Sequence, residues 1–195
     1  MIRSASILLA ALAMPASGLA APITVTRFIA ANAALAPAHG RIGVTTVPGI
    51  DPTDLAQRPW LDAVASELGA LGFAPTPDAS PDLVAEVRVE RGTRHVDRER
   101  PPVSIGMAGE TGSYHSGFDL GIGFSLGGGA RDMVDTRLVV TLKDRATGAA
   151  LWEARAENTE NAKHREAGIA VAASRLAHAL FAGFPGRSGE TIKVR

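Results

Sequence analysis

The sequence predicts an α+β domain: a mainly antiparallel sheet, in the order β-β-α-β-β-β-β-α, with two helices packed on one face. Three observations predict it. Short runs alternate apolar and polar residues with period two, the mark of half-buried strands. Two longer stretches, one beginning near Pro59 and one ending before Pro185, carry apolar residues at spacings of three and four. Two of the alternating runs are joined by a turn from Asp144 to Gly148, which reads as a hairpin.

The elements follow in order. Ile23 to Ile29 alternates β-branched and polar residues, a first strand. An Ala/Pro loop from Asn32 to Gly40 leads to a second strand, Arg41 to Val47, ended by Pro48-Gly49. Asp51, Thr53 or Asp54 is expected to cap the first helix, with Pro59 at its first position, where a missing N–H costs nothing. Trp60, Leu61, Val64, Leu68 and Leu71 share one face of it, and Gly72 stands where a left-handed terminator belongs. Leu83, Ala85, Val87 and Val89 alternate with polar or outward positions in a third strand. The basic run from Arg88 to Arg100, offset by Glu90, Asp97 and Glu99, reads as its solvated end. Residues 103–130 are rich in Gly and Ser. Their second part, Phe118 to Leu126, alternates large apolar residues with Gly and Ser and reads as a strand with one bare face. Val134 to Leu142 and Ala150 to Ala156 form the hairpin, with Trp152 placed on the core side. A second helix is expected over 162–182, with Ile169, Ala172, Ala173, Leu176 and Leu180 inward, stopped by Gly183 and Pro185.

Around this domain, expected over 21–186, lie two other segments. Residues 1–20 read as a cleavable signal peptide: Arg3, an apolar run from Ile7 to Met14, then Gly18-Leu19-Ala20 as a small-x-small cleavage site. The apolar run is too short to span a bilayer, so no transmembrane segment is expected. Residues 187–195 read as a polar tail. Without Arg3 the chain holds 19 basic and 20 acidic residues, so no basic field exists to hold nucleic acid. The sequence contains no cysteine, which excludes thiol catalysis, iron–sulfur clusters, thiolate–zinc sites and a lipid anchor on cysteine.

The motifs that could carry chemistry are few. Gly123-Phe124-Ser125-Leu126-Gly127 matches the nucleophile elbow of serine hydrolases, but the elbow needs a strand-to-helix turn, and here an alternating strand and three glycines surround Ser125. The glycines lack the Lys-Ser/Thr of a phosphate loop. Of the histidines, His39, His95, His115, His164 and His178, none has metal-ligand spacing; His115 near Glu110 and Asp119 comes nearest. Glu110, Asp119, Asp132 and Asp135 flank the Gly-rich segment, where paired carboxylates could do acid–base work but more simply solvate turns. No catalytic, cofactor-binding or metal-binding residue is assigned, and no cofactor is expected.

Several segments carry a family resemblance: Gly40-Arg41-Ile42-Gly43-Val44, the helix end at Leu68-Gly69-Ala70-Leu71-Gly72-Phe73, Pro81 to Val87, the hairpin from Leu138 to Ala156 with Trp152, and Phe184 to Thr191. Together the chain resembles the small bacterial envelope proteins, many of them lipoproteins, catalogued only as a domain of unknown function. That resemblance implies an exported, envelope-associated α+β domain with no established activity and no catalytic residues to carry over. Periplasmic residence is the expectation, with a protein, lipid or cell-wall component as partner. Two functions remain open: a non-catalytic binding protein, and an envelope hydrolase using Ser125 or the loop carboxylates.

Overall fold

The computed structural model describes residues 20–31, 33, 40–77, 81–96 and 131–195. Among the described residues, seven strands and two helices run in the order β1 (Ile23–Ile29), β2 (Arg41–Thr46), α1 (Arg58–Ala70), β3 (Ala74–Pro75), β4 (Leu83–Val96), β5 (Arg131–Asp144), β6 (Ala150–Asn161), α2 (Ile169–Phe181) and β7 (Thr191–Val194). The strands form one sheet in the spatial order β3-β2-β4-β5-β6-β1-β7.

This sheet is mixed, which corrects the expectation of a mainly antiparallel one: β2 runs parallel to both β3 and β4. The reason is connectivity. A helix that packs back along the sheet returns the chain to the end it left, so the next strand runs parallel to the last. α1 does this between β2 and β3. Alternation shows which residues face the core, and it is blind to strand direction. Two short strands escaped the pattern as well: β3, and β7, which comes from the residues read as a polar tail and pairs with β1 from Ile23↔Val194 to Thr26↔Thr191. The strand expected over 118–126 lies outside the described residues.

The long antiparallel pairs form the frame. β4 and β5 pair from Leu83↔Asp144 to Val96↔Arg131, and β5 and β6 from Met133↔Asn161 to Lys143↔Ala150. The hairpin turn holds as expected. Asp144 Oδ1 accepts from the Thr147 N–H at 2.8 Å and from its hydroxyl at 2.7 Å, and Gly148 takes a left-handed φ of 71°. One face of the sheet supplies Val25, Ala85, Val87, Leu138, Val140, Leu142, Trp152, Ala154 and Ala156 to a core that also holds Trp60, Val64 and Leu68 of α1 and Leu176, Leu180 and Phe181 of α2. Both helices therefore cover the same face. Trp152 lies at the centre, stacked on Phe181 with ring centroids 5.4 Å apart and edge-on to Phe184 at 5.1 Å. Its Nε1–H donates to the Pro185 carbonyl at 2.9 Å, which satisfies the one polar atom the ring buries.

Both helices differ from expectation at their starts. α1 begins at Arg58 after Gln57, with no side-chain cap. Asp51 and Asp54 instead close turns upstream, accepting from the N–H groups of Thr53 and Ala56. Its end is as expected. Gly72 has φ 93°, its N–H donates to Gly69 O, and the Phe73 N–H reaches back to Leu68 O, the paired bonds of a Schellman terminator. α2 starts at Ile169, not at Ala162. β6 runs on to Asn161, whose side chain accepts from the Lys163 N–H, and a 3₁₀ turn over Arg165–Ala167 intervenes before Gly168, which is extended. Ile169 lies outside the core in consequence and is 47% exposed.

Candidate functional site

Strand alternation sends every second side chain of β4, β5, β6 and β1 to the face that carries no helix. There the register lines them into rows across the sheet. One row reads Glu90, Arg137, Glu157, Thr24; the next, Arg88, Val139, Arg155, Thr26; the third, Glu86, Thr141, Glu153, Phe28. The first row alternates in sign along itself, the second is basic and the third acidic. Arg137 Nε donates to Glu157 Oε1 at 2.6 Å and Nη1 to Glu90 Oε2 at 3.0 Å, so one guanidinium ties three strands. Those two carboxylates raise the Arg137 pKa, its hydrogen bond to Glu157 foremost. Arg155 meets Glu153 at 3.1 Å and lies 5.9 Å over the ring of Phe28, which is 46% exposed.

Beyond the Glu90 row, Gly92 faces Asp135 and Asp135 faces Thr159. A side chain at Gly92 would meet nothing within 4 Å, so its absence leaves an opening in the surface. A cleft of about 740 Å³ lies here, lined among others by Thr24, Glu90, Gly92, Asp135, Arg137 and Thr159. Asp135 accepts from the Thr159 hydroxyl and from Arg94 Nε, the latter at 2.6 Å. The hydroxyl bond, more than Arg94, holds its carboxyl below the usual carboxylate range. That bears on chemistry: a carboxylate with a lowered pKa is a weak general base, so the Thr159–Asp135 pair is poorly set to activate a nucleophile. The arrangement offers a dense field of donors and acceptors of both signs.

The helix face becomes polar at the same end of the sheet, and sequence reading missed this. The inward alternation of Trp152, Ala154 and Ala156 continues in Asn158 and Glu160, both buried. Glu160 is paired with Arg175 of α2: Nη1 donates to Oε1 at 2.9 Å. The same Oε1 accepts from the Ala21 N–H at 2.8 Å, while Arg175 Nη2 donates to the Ala21 carbonyl at 2.9 Å. The signal that could have found this pair was the change from apolar to polar at the inward positions of β6. Arg27, in β1, is buried too; its guanidinium donates to the carbonyls of Leu180 and Ala182 and so closes the end of α2. Burial lowers its pKa, opposed by the charge of Glu190.

The candidates named from the sequence are scattered. Asp132 lies 2.7 Å from His95 Nδ1 at the far end of the β4–β5 pair, and Asp135 lines the cleft. His164 approaches Glu160 at 3.8 Å and His178 lies 3.3 Å from Glu67 of α1. Ser125, His39, His115, Glu110 and Asp119 lie outside the described residues. Among the described residues, no group of three or more His, Cys, Asp or Glu could hold a metal ion, and no helix is long and apolar enough to cross a membrane.

A family model described as Domain of unknown function (DUF4136) matches residues 46–186, most of the chain. The chain belongs to this family. The match takes in α1, the hairpin, Trp152 and both residues of the Glu160–Arg175 pair, while β1, Ala21 and β7 fall outside it. An uncharacterized protein of Zymomonas mobilis is 40% identical over 77 residues, which are 38% of this chain and 29% of that protein. The chain thus matches under a third of the length of that curated relative. Among solved structures, the PelC dodecamer from Paraburkholderia phytofirmans is 17% identical with a TM-score of 0.46, covering 85% of this chain and 99% of that one. A PDZ domain protein from Parabacteroides distasonis is 12% identical with a TM-score of 0.45, covering 88% of this chain and 38% of that one.

Proposed function

We propose that this DUF4136 protein is an exported, non-catalytic binding protein of the cell envelope, and that it docks a protein partner on the helix-free face of its sheet. The observation that carries the reading is the set of cross-strand rows around Arg137, with the cleft beside them. Three considerations favour a protein as occupant. The rows carry both signs, so they suit a surface of mixed charge and repel a polyanion as much as they attract it. The cleft is large enough for a small molecule, but it is open to solvent, and most of its lining residues are charged or carry a hydroxyl. Phe28, exposed beside Arg155, supplies the aromatic anchor typical of protein interfaces. Export rests on the leader pattern of residues 1–20.

The test is site-specific photocrosslinking in the envelope. A crosslinker at Thr24, at the end of the Arg137 row, is expected to trap one discrete protein, and one at Leu55, exposed in the loop before α1, is not. Arg137→Glu introduced beside a crosslinker at Thr24 should abolish the adduct, because it sets like charges across the rows. No adduct at Thr24 above that at Leu55, or one insensitive to Arg137→Glu, overturns the reading.

A further inference from the structure

We propose that Glu160 and Arg175 form a receptor for the chain's own processed N-terminus: once the leader is cut after Ala20, the new α-ammonium of Ala21 binds the buried carboxylate of Glu160 and locks β1 against α2. The inference rests on the export reading. It joins two observations made independently. The small-x-small pattern of Gly18-Leu19-Ala20 places the scissile bond at the nitrogen of Ala21. The fold places that same nitrogen 2.8 Å from Glu160 Oε1.

The receptor is already assembled. The Glu160 side chain is 5% exposed, and a buried carboxylate persists only when it is paired and hydrogen-bonded. Arg175 pairs with it and also donates to the Ala21 carbonyl at 2.9 Å, so the backbone of Ala21 is held at both its N–H and its C=O. Before cleavage the nitrogen offers Glu160 one neutral amide N–H. Hydrolysis of the Ala20–Ala21 bond by a leader-removing peptidase consumes one water, leaves a carboxylate on Ala20 and an amine on Ala21. The amine takes up a proton at neutral pH, where an α-amino group is mostly charged. The same atom in the same place then offers an ionic donor, so a bond in which only the acceptor was charged gains a full opposite charge on its donor. Oε2 has capacity for a second ammonium N–H, since the His164 ring nitrogen stands 3.8 Å from it, beyond direct bonding distance. Arg175 retains 21% exposure, so part of its charge stays solvated beside the new ammonium. Processing thereby fastens β1, the strand that joins β6 to β7, to the helix layer.

Residues 21–195 include every described element, and the experiment uses that chain in two forms: one with a free α-amine and one α-acetylated. The free-amine form should melt about 2–4 °C higher, the shift expected of one ionic contact in a chain of this size. In Glu160→Gln the difference between the two forms should vanish. Equal melting of the two wild-type forms overturns the proposal, as does a difference that survives Glu160→Gln. Should Glu160→Gln not fold, reaction of the wild-type α-amine with an acylating reagent decides: about tenfold slower in the native than in the urea-unfolded chain supports an amine held charged, and equal rates refute it. N-terminal sequencing of the cellular protein is read separately. A start other than Ala21 refutes the processing step, whereas equal melting refutes the Glu160 receptor even with the cut in the expected place.

Discussion

Trp152 shows how much of the interior hangs on one side chain. It is 1% exposed, contacts Phe181 and Phe184, and its Nε1–H satisfies the Pro185 carbonyl. Trp152→Ala removes the ring and leaves that carbonyl without its donor, at an expected cost of about 3–5 kcal/mol, measured by urea denaturation. A loss below about 1 kcal/mol would contradict the packing described. Its inward position was legible, because Trp152, Ala154 and Ala156 alternate with charged neighbours. The state of Asp135 was not legible, since the partner that matters, Thr159, lies on another strand. The Asp135 pKa is lowered in the folded chain, so its contribution to stability is present above the unfolded carboxyl pKa of about 3.9 and is lost as pH falls through the folded value. Wild type should therefore lose more stability between about pH 5 and pH 2 than Asp135→Asn or Thr159→Val, followed by thermal melting across that range. Identical pH profiles would remove Asp135 from the account.

Among the elements, two glycines make a matched contrast. Gly72 ends α1 with φ 93°, a conformation that opposes any Cβ, and it donates one of the two bonds of the terminator. Gly72→Ala should cost roughly 1–2 kcal/mol. Gly92 sits in β4 at an ordinary φ with open space around it. Gly92→Ala should be neutral or slightly stabilising, because it only reduces the freedom of the unfolded chain. Equal effects in paired denaturant titrations would refute one of these two assignments. If the cleft is the docking surface, Gly92→Trp should weaken partner capture while leaving the melting temperature nearly unchanged. Helix ends set by local turn chemistry were readable in this way. The start of α2 was not, since apolar spacing continues through Ala167 and only the extension of β6 to Asn161 and the extended Gly168 delay it.

Across the whole molecule, β7 closes one edge of the sheet by pairing with β1, helped by the Ser188 hydroxyl at the Ile29 N–H, 3.0 Å away. Deleting residues 191–195 should expose the backbone of β1, lower the melting temperature and promote self-association, detectable by light scattering. A truncated chain that stays monomeric and equally stable would show that β7 is dispensable. The sequence by itself determined the strands β1, β2, β5 and β6, the hairpin turn at Asp144, the end of α1 at Gly72 and the inward side of Trp152. Each depends on period, turn residues and side-chain volume within a few neighbouring positions, where local sterics and solvation dominate. Only the tertiary structure decided the parallel pairing of β2 with β3 and β4, the recruitment of β7, and the burial of Arg27 and Glu160. These depend on partners far along the chain: Glu160 is buried because Arg175 and Ala21 converge on it, and no local pattern records which distant groups will neutralise a charge and satisfy its hydrogen bonds.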